Sequence, residues 1–324
     1  MANRETNFWS SNRLWLATGI AAGVFAGLKW IRRRWARRTS PVIQSGESMT
    51  ALITGASSGI GRVYATKLAE MGYDVIVVAR RVERLEALAT RLSQVYDVNA
   101  TVLTADLATY SGIEKVERVI ERTQDLNLLV NNAGFGLVGQ FSETDVARQE
   151  DMIRVHVLAA VRLTRAALPG MLAQKRGAIV NVASVMAFYP LSGNVTYGAT
   201  KSYLRFFTEA LHQELAGTGV RVQSLCPGFT RTEMQAAGRF DWSALPDFVW
   251  LSADSVVDRS LRDLHNDRVI SVPGFGYRAL VFVRRLLPRP LLYLAGRLAG
   301  MLKERRPAER GGQRTLADQQ GGGV

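Results

Sequence analysis

Between residues 49 and 226, short apolar runs alternate with longer segments of helical periodicity, and this alternation constrains the fold more than any other feature. The apolar runs fall at residues 51–54, 73–79, 99–104, 126–131, 178–183 and 220–226. They are near-continuous, as strands are when both of their faces are covered. Residues 62–71, 82–95, 113–124, 145–173 and 196–216 instead repeat their apolar positions at helical intervals. Strands alternating strictly with helices imply α/β architecture, a doubly wound parallel sheet joined by right-handed crossovers. Ligands of such a sheet bind beyond the carboxyl ends of its strands.

The first strand runs into G-A-S-S-G-I-G, residues 55–61. Gly55 permits a tight turn, Gly59 lets backbone approach a pyrophosphate, and Gly61 allows close contact between helix and sheet. The helix that follows offers free N–H groups and a partial positive charge to an anion. The spacing is G-x3-G-x-G, not the more widespread G-x-G-x-x-G, but its place between a first strand and a first helix marks a Rossmann fold. The second strand ends at Arg80 and Arg81. A binder of the unphosphorylated dinucleotide has an acid there for the ribose 2′-hydroxyl, whereas arginine suits a 2′-phosphate. NADP(H) is therefore the expected coenzyme, against the rival that the two arginines are only solvated surface.

Tyr197 and Lys201 stand four apart in a helical segment, on one face, and Ser184 lies thirteen residues before the tyrosine. A free phenol has a pKa of about 10 and is a poor base at neutrality. A fixed ammonium favours the phenolate, and moving the pKa toward neutrality needs about 3 to 4 kcal/mol of differential stabilisation. The spacing predicts a phenol lowered in this way by Lys201. Such a tyrosine exchanges a proton with a carbonyl or alcohol oxygen while a hydride moves at carbon. Ser184 would hydrogen-bond the same oxygen.

Taken together, T-G-A-S-S-G-I-G (residues 54–61), Asp106-Leu107, N-N-A-G (131–134), Ser184, Y-G-A-T-K (197–201) and P-G-F-T-R-T (227–232) follow an order and spacing that resembles the short-chain dehydrogenase/reductase superfamily. The resemblance covers residues 50–275. It implies coenzyme contacts from the glycine loop, including Ser57, Ser58 and Ile60, and from Asp106 and Leu107 at the adenine end. It also implies that Asn132, Ala133 and Gly134 shape the coenzyme site and that Pro227, Gly228, Thr230 and Thr232 cover the nicotinamide. Ser184 would orient the substrate, Tyr197 would be the acid/base, and Lys201 would also bind the nicotinamide ribose. The G-F-G-x-x-G-x-F loop (134–141) and the basic C-terminus are similar to members linked to ketoacyl or steroid reduction near membranes.

One position departs from the pattern. His156 stands where the superfamily has an asparagine that holds a water joining the lysine to solvent. Imidazole can donate and accept, so two readings stand: a proton relay that depends on pH near neutrality, or a blocked water that leaves a slow enzyme or a coenzyme-binding relic.

Charge and hydropathy at the two ends set the domain limits. Residues 1–48 carry eight Lys/Arg against two acids (+6), residues 277–324 ten against three (+7), and residues 49–276 are neutral. A net charge of +13 placed this way, with no basic-aromatic patch between, argues against a nucleic-acid partner. One cysteine, Cys226, excludes an internal disulfide, and three scattered histidines give no metal-ligand spacing. Residues 14–28 are uncharged and apolar, with the run continuing to Ile31, tryptophans at 15 and 30, and six Lys/Arg among residues 29–38. That flank predicts an uncleaved anchor with the domain on the cytoplasmic side. A cleaved signal peptide and a mitochondrial presequence are the rivals, and no small-residue cleavage site follows the run.

The expected organisation is a membrane anchor and linker (1–48), a catalytic domain (49–276), a basic amphipathic extension (277–305) and a disordered tail (306–324). In the extension, Leu291, Leu294, Leu298 and Leu302 mark one helix face, suited to a headgroup layer, to the substrate mouth or to a dimer surface. Residues 232–251 hold Phe240, Trp242, Leu245, Phe248, Val249 and Trp250, a hydrophobic lid or ordinary packing. The expected activity is hydride transfer between NADP(H) and an apolar carbonyl or alcohol at a membrane, with a homo-oligomer common among the resembling proteins. The alternative is a catalytically impaired NADP(H)-binding sensor or scaffold.

Overall fold

The computed structural model describes residues 49–233 and 246–286. Among them, seven strands form one sheet: β1 (Thr50–Thr54), β2 (Asp74–Ala79), β3 (Ala100–Thr104), β4 (Leu126–Asn131), β5 (Gly177–Val182), β6 (Val220–Leu225) and β7 (Ile270–Ser271). Their spatial order is β3-β2-β1-β4-β5-β6-β7, and every pairing is parallel. The order reverses between β1 and β4, which opens the crevice at the carboxyl ends of those two strands.

The described helices are α1 (Gly59–Glu70), α2 (Val82–Tyr96), α3 (Tyr110–Arg122), α4 (Val146–Ile153), α5 (Ala159–Ala173), α6 (Val195–Glu214), α7 (Ala253–His265) and α8 (Phe275–Leu286). They cover both faces. Successive strand residues point to opposite sides, so Ala51 and Ile53 pack with Tyr64, Leu85 and Val256 of α1, α2 and α7. Leu52 packs on the other face with Ile113, Leu163 and Leu211 of α3, α5 and α6. Every residue of β1, β4 and β5 is buried. That is why these strands read as near-continuous apolar runs, interrupted by the buried Asn127, Asn131 and Asn181.

The six strands expected from the pattern fall within one or two residues of their predicted bounds. Helices α1 and α3 begin three residues earlier than their apolar periodicity suggests, because their first turns are polar or glycine-rich. The segment expected as one long helix is α4 and α5 joined without a break through a π turn, Arg154–Leu158. β7, α7 and α8 have no counterpart in the sequence reading. Helix α8 crosses the division expected at residue 276 and seats Val281 beside Cys226 and Val272.

Among the described residues, Val146–Ala173 is long and apolar enough to cross a bilayer. Its Ala159, Leu163, Ala167 and Met171 are buried against the sheet, so it serves as a core helix. The expected anchor and linker (1–48), the leucine face at 291–302, the tail at 306–324, and the lid residues Phe240, Trp242 and Leu245 lie outside the described residues.

Leu129, fully buried at the centre of the sheet on β4, tests how far the site depends on this core. Leu129→Ala is expected to lower stability by about 2–5 kcal/mol, read from the midpoint of denaturant unfolding.

Candidate active site

The carboxyl ends of β1, β4, β5 and β6 surround a cleft of about 440 Å³. It is lined by every residue singled out above for coenzyme or chemistry except Gly61 and His156, which stand behind its wall. Gly55 and Gly59 have φ of 67° and 55°, the left-handed region that glycine enters without strain. A Cβ on Gly61 would lie 2.4 Å from the Gly55 carbonyl oxygen, so only glycine lets α1 pack this close. The N-A-G turn after β4 is tied to the same loop. Thr54 Oγ1 accepts from the N–H groups of Asn132 (2.9 Å) and Ala133 (3.0 Å), and Asn132 Nδ2 donates to the Thr54 carbonyl at 2.8 Å.

Polar groups gather at the far end of the cleft. Arg81 Nη2 donates to the hydroxyls of Ser57 (2.9 Å) and Ser58 (3.0 Å), and Arg80 Nη1 lies 3.9 Å from Asp106 Oδ2. Asp106 Oδ1 accepts from the Ala108 N–H, while Leu107 is buried. A glycine-floored cleft with a helix N-terminus at its wall and guanidinium groups at one end fits a dinucleotide carrying an additional phosphate.

The chemical end is built from β5 and α6. Ser184 follows β5, caps a 3-10 turn at Val185–Phe188 and accepts from the Met186 N–H. Tyr197 and Lys201 come from the first two turns of α6. Lys201 is 4% exposed; its ammonium donates to the Val182 carbonyl at 2.8 Å and stands 5.7 Å from the centre of the Tyr197 ring. Burial pulls its pKa down to about 8. The Tyr197 phenol is shifted upward from its ordinary value by burial, with a hydrogen bond to Ser184 acting the other way. This reverses the expectation of a lowered phenol, because desolvation outweighs the partners that favour phenolate.

The segment containing Pro227, Gly228, Thr230 and Thr232 crosses the cleft as a strap. The Tyr277 hydroxyl on α8 accepts from the Phe229 N–H at 3.1 Å and donates to the Val249 carbonyl at 2.6 Å, pinning one side of it. A Cβ on Gly228 would fall within 2.1 Å of the Tyr277 ring. At the other side, Thr232 lies over Gly59. Phe248 is 86% exposed, while Trp250 tilts against Phe229 at 5.8 Å.

His156 is 1% exposed within the π turn. Its Nε2 accepts from the Phe135 N–H at 3.1 Å, and its Nδ1 lies 3.0 Å from Thr200 Oγ1. A backbone N–H can only donate, so Nε2 carries the lone pair and Nδ1 the proton. Nδ1–H then donates to Thr200, whose hydroxyl donates to the Tyr197 carbonyl at 2.9 Å. Burial first, and the Lys201 charge second, hold the ring well below the usual histidine pKa. Both ring nitrogens are thus engaged, and the ring bridges the Phe135 backbone and Thr200 of α6.

Sequence reasoning missed Phe135, Arg148, Asp151, Val155 and Glu233, which also line the cleft. Arg148 lies over the Phe135 ring at 4.7 Å, a pairing that no linear spacing announces.

A parallel sheet with a glycine loop on one wall of its switch-point cleft and a phenol beside an ammonium on the other defines a dinucleotide-binding domain of the oxidoreductase type. A family profile described as short chain dehydrogenase matches residues 49–241, more than half of the chain, and the chain belongs to that family. A short-chain dehydrogenase from Sphingobium yanoikuyae, solved in complex with NADPH, is 35% identical with a TM-score of 0.68, over 73% of this chain and 93% of that one. Serine 3-dehydrogenase of Agrobacterium fabrum is 39% identical over 188 residues, 57% of this chain and 74% of that protein. The inactive hydroxysteroid dehydrogenase-like protein 1 of Homo sapiens is 33% identical over 192 residues, 59% of this chain and 58% of that protein.

Protonating His156 would set two N–H groups against each other at Nε2 and put a second cation near Lys201. The ring is therefore expected not to titrate between about pH 5 and pH 8. The pH dependence of its C–H signals by NMR checks this, and a titration in that range would break the hydrogen-bond assignment.

Proposed function

We propose that the chain is an NADP(H)-dependent oxidoreductase that transfers a hydride between nicotinamide and the carbonyl or alcohol of an apolar substrate, at a membrane. The observation that carries it is the convergence of Ser184, Tyr197 and Lys201 on one end of a cleft whose other end holds Arg80 and Arg81. The coenzyme supplies or accepts the hydride, and the NADPH complex of the Sphingobium relative supports its identity. The loop of Gly55, Ser57, Ser58, Gly59, Ile60 and Gly61 would hold the pyrophosphate. Asp106 and Leu107 would meet the adenine end, Asn132, Ala133 and Gly134 the middle, and Pro227, Gly228, Thr230 and Thr232 the nicotinamide.

The protein's own part is proton management. A phenol raised above its ordinary range is fully protonated at neutrality, so Tyr197 is poised to give its proton to a carbonyl oxygen. Ser184 bonds the tyrosine and shares the substrate oxygen. Lys201, with a pKa of about 8, is mainly ammonium at pH 7 and neutral at alkaline pH. Proton supply therefore favours carbonyl reduction at neutrality, while alcohol oxidation needs a phenolate that forms only at higher pH.

Membrane association is supported by the apolar run at 14–28 and the basic excess at both ends. Phe275, Phe282, Val283 and Leu286 also stand exposed on α8, whose sequence continues into the basic C-terminus. An apolar substrate fits that setting. The name of the human relative keeps a second reading open, a protein that binds NADP(H) without turnover.

With NADPH and a panel of apolar ketones and aldehydes, Tyr197→Phe is expected to lose about 10²- to 10⁴-fold in turnover while still binding NADPH. Reduction by the wild type should fall above about pH 8, as Lys201 loses its proton, and oxidation should rise only at more alkaline pH, where the Tyr197 phenolate forms. NADPH binding without oxidation across the panel, unchanged in Tyr197→Phe, would favour the second reading. Separately, the full chain is expected to remain in the pellet when its membranes are extracted with alkaline carbonate. Release into the supernatant would remove the anchor.

A further inference from the structure

Glu233 closes the arginine end of the cleft. It follows Thr232 at the end of the strap, and its carboxylate accepts from Arg81 Nη1 at 2.9 Å and from Arg84 Nη1 at 2.6 and 2.7 Å. The same Arg81 guanidinium donates through Nη2 to Ser57 and Ser58. Two guanidinium groups and two hydroxyls thus converge where the ribose end of a dinucleotide would lie, and a single carboxylate from the chain itself already pairs with both guanidinium groups, offsetting one of their two charges. The two arginines hold the Glu233 carboxyl below its ordinary range.

We propose that Glu233 is an internal stand-in for the coenzyme 2′-phosphate, occupying Arg81 and Arg84 until that phosphate displaces it, and that Arg84 is a further phosphate ligand. This rests on the NADP(H) reading above. A phosphate monoester carries more charge than a carboxylate and has three acceptor oxygens, and guanidinium forks match both anions. Glu233 is 52% exposed, so its ion pairs are screened and weak enough to exchange. A dinucleotide without the phosphate leaves Glu233 in place, where its carboxylate can accept the ribose 2′-hydroxyl as an acid does in binders of that form. Glu233 therefore works against NADPH and not against NADH, and it sets the preference between them.

Dissociation constants of the purified full chain for NADPH, NADH and 2′,5′-ADP, measured by calorimetric or fluorescence titration, test this. Glu233→Gln is expected to tighten NADPH and 2′,5′-ADP by about three- to ten-fold, and to leave NADH unchanged or weaker. Arg84→Gln is expected to weaken NADPH and 2′,5′-ADP by about three- to ten-fold and to spare NADH. Equal effects on the two coenzymes, or no effect of Glu233→Gln on a wild type that binds NADPH, would overturn the inference alone. A wild type that binds neither coenzyme would remove the coenzyme reading and this inference with it.

Discussion

The buried ammonium of Lys201 is the interaction on which the geometry of the site depends. An ammonium taken out of water is costly unless an acceptor meets it, and here the Val182 carbonyl does so at 2.8 Å. Val182 is the last residue of β5, so this bond ties α6 to the end of the sheet, beside the packing of Leu204 and Leu211. Tyr197 sits one turn earlier on the same helix, and Ser184 two residues after Val182 on the same strand end. The compensation is partial, which is why burial still pulls Lys201 to about 8.

Much of this was legible in the chain, for identifiable reasons. Strands buried on both faces cannot carry polar residues freely, so they write themselves as apolar runs. Gly55, Gly59 and Gly61 were readable because φ or a backbone contact forbids a Cβ at each. Other parts leave no such trace. The acceptor for Lys201 is a carbonyl, which every residue has. β7 has only two residues, and the π turn changes hydrogen-bond register without changing composition. Arg84 and Glu233 are 149 residues apart and meet only because the strap folds back over α1. Tyr277 secures that strap with a single hydroxyl from a segment whose composition reads as an appendage.

The direction of the tyrosine shift shows where reasoning from spacing stops. Four-residue spacing identifies a cation for the phenol, but it carries no information about burial. In the folded protein the same apolar surroundings act on both groups, raising the phenol and lowering the ammonium. Their proton affinities draw apart, with both protonated at neutrality. That state is consistent with the carbonyl reduction proposed above.

His156 follows from the same low-dielectric setting. A neutral imidazole offers one donor and one acceptor, which satisfies a Phe135 N–H on one side and a Thr200 hydroxyl on the other. Its ring needs room, and Gly134 provides it: a Cβ there would lie 2.7 Å from Nε2. Positions 134 and 156 are therefore a matched pair, and a side chain at the first would push the ring off the Phe135 N–H. Because Thr200 hands its own proton to the Tyr197 carbonyl, the chain of bonds runs from the loop after β4 to the first turn of α6. Every donor in that chain has its acceptor only while the imidazole is uncharged. Burial and the nearby ammonium favour that neutral form, in which the ring links the loop after β4 to α6.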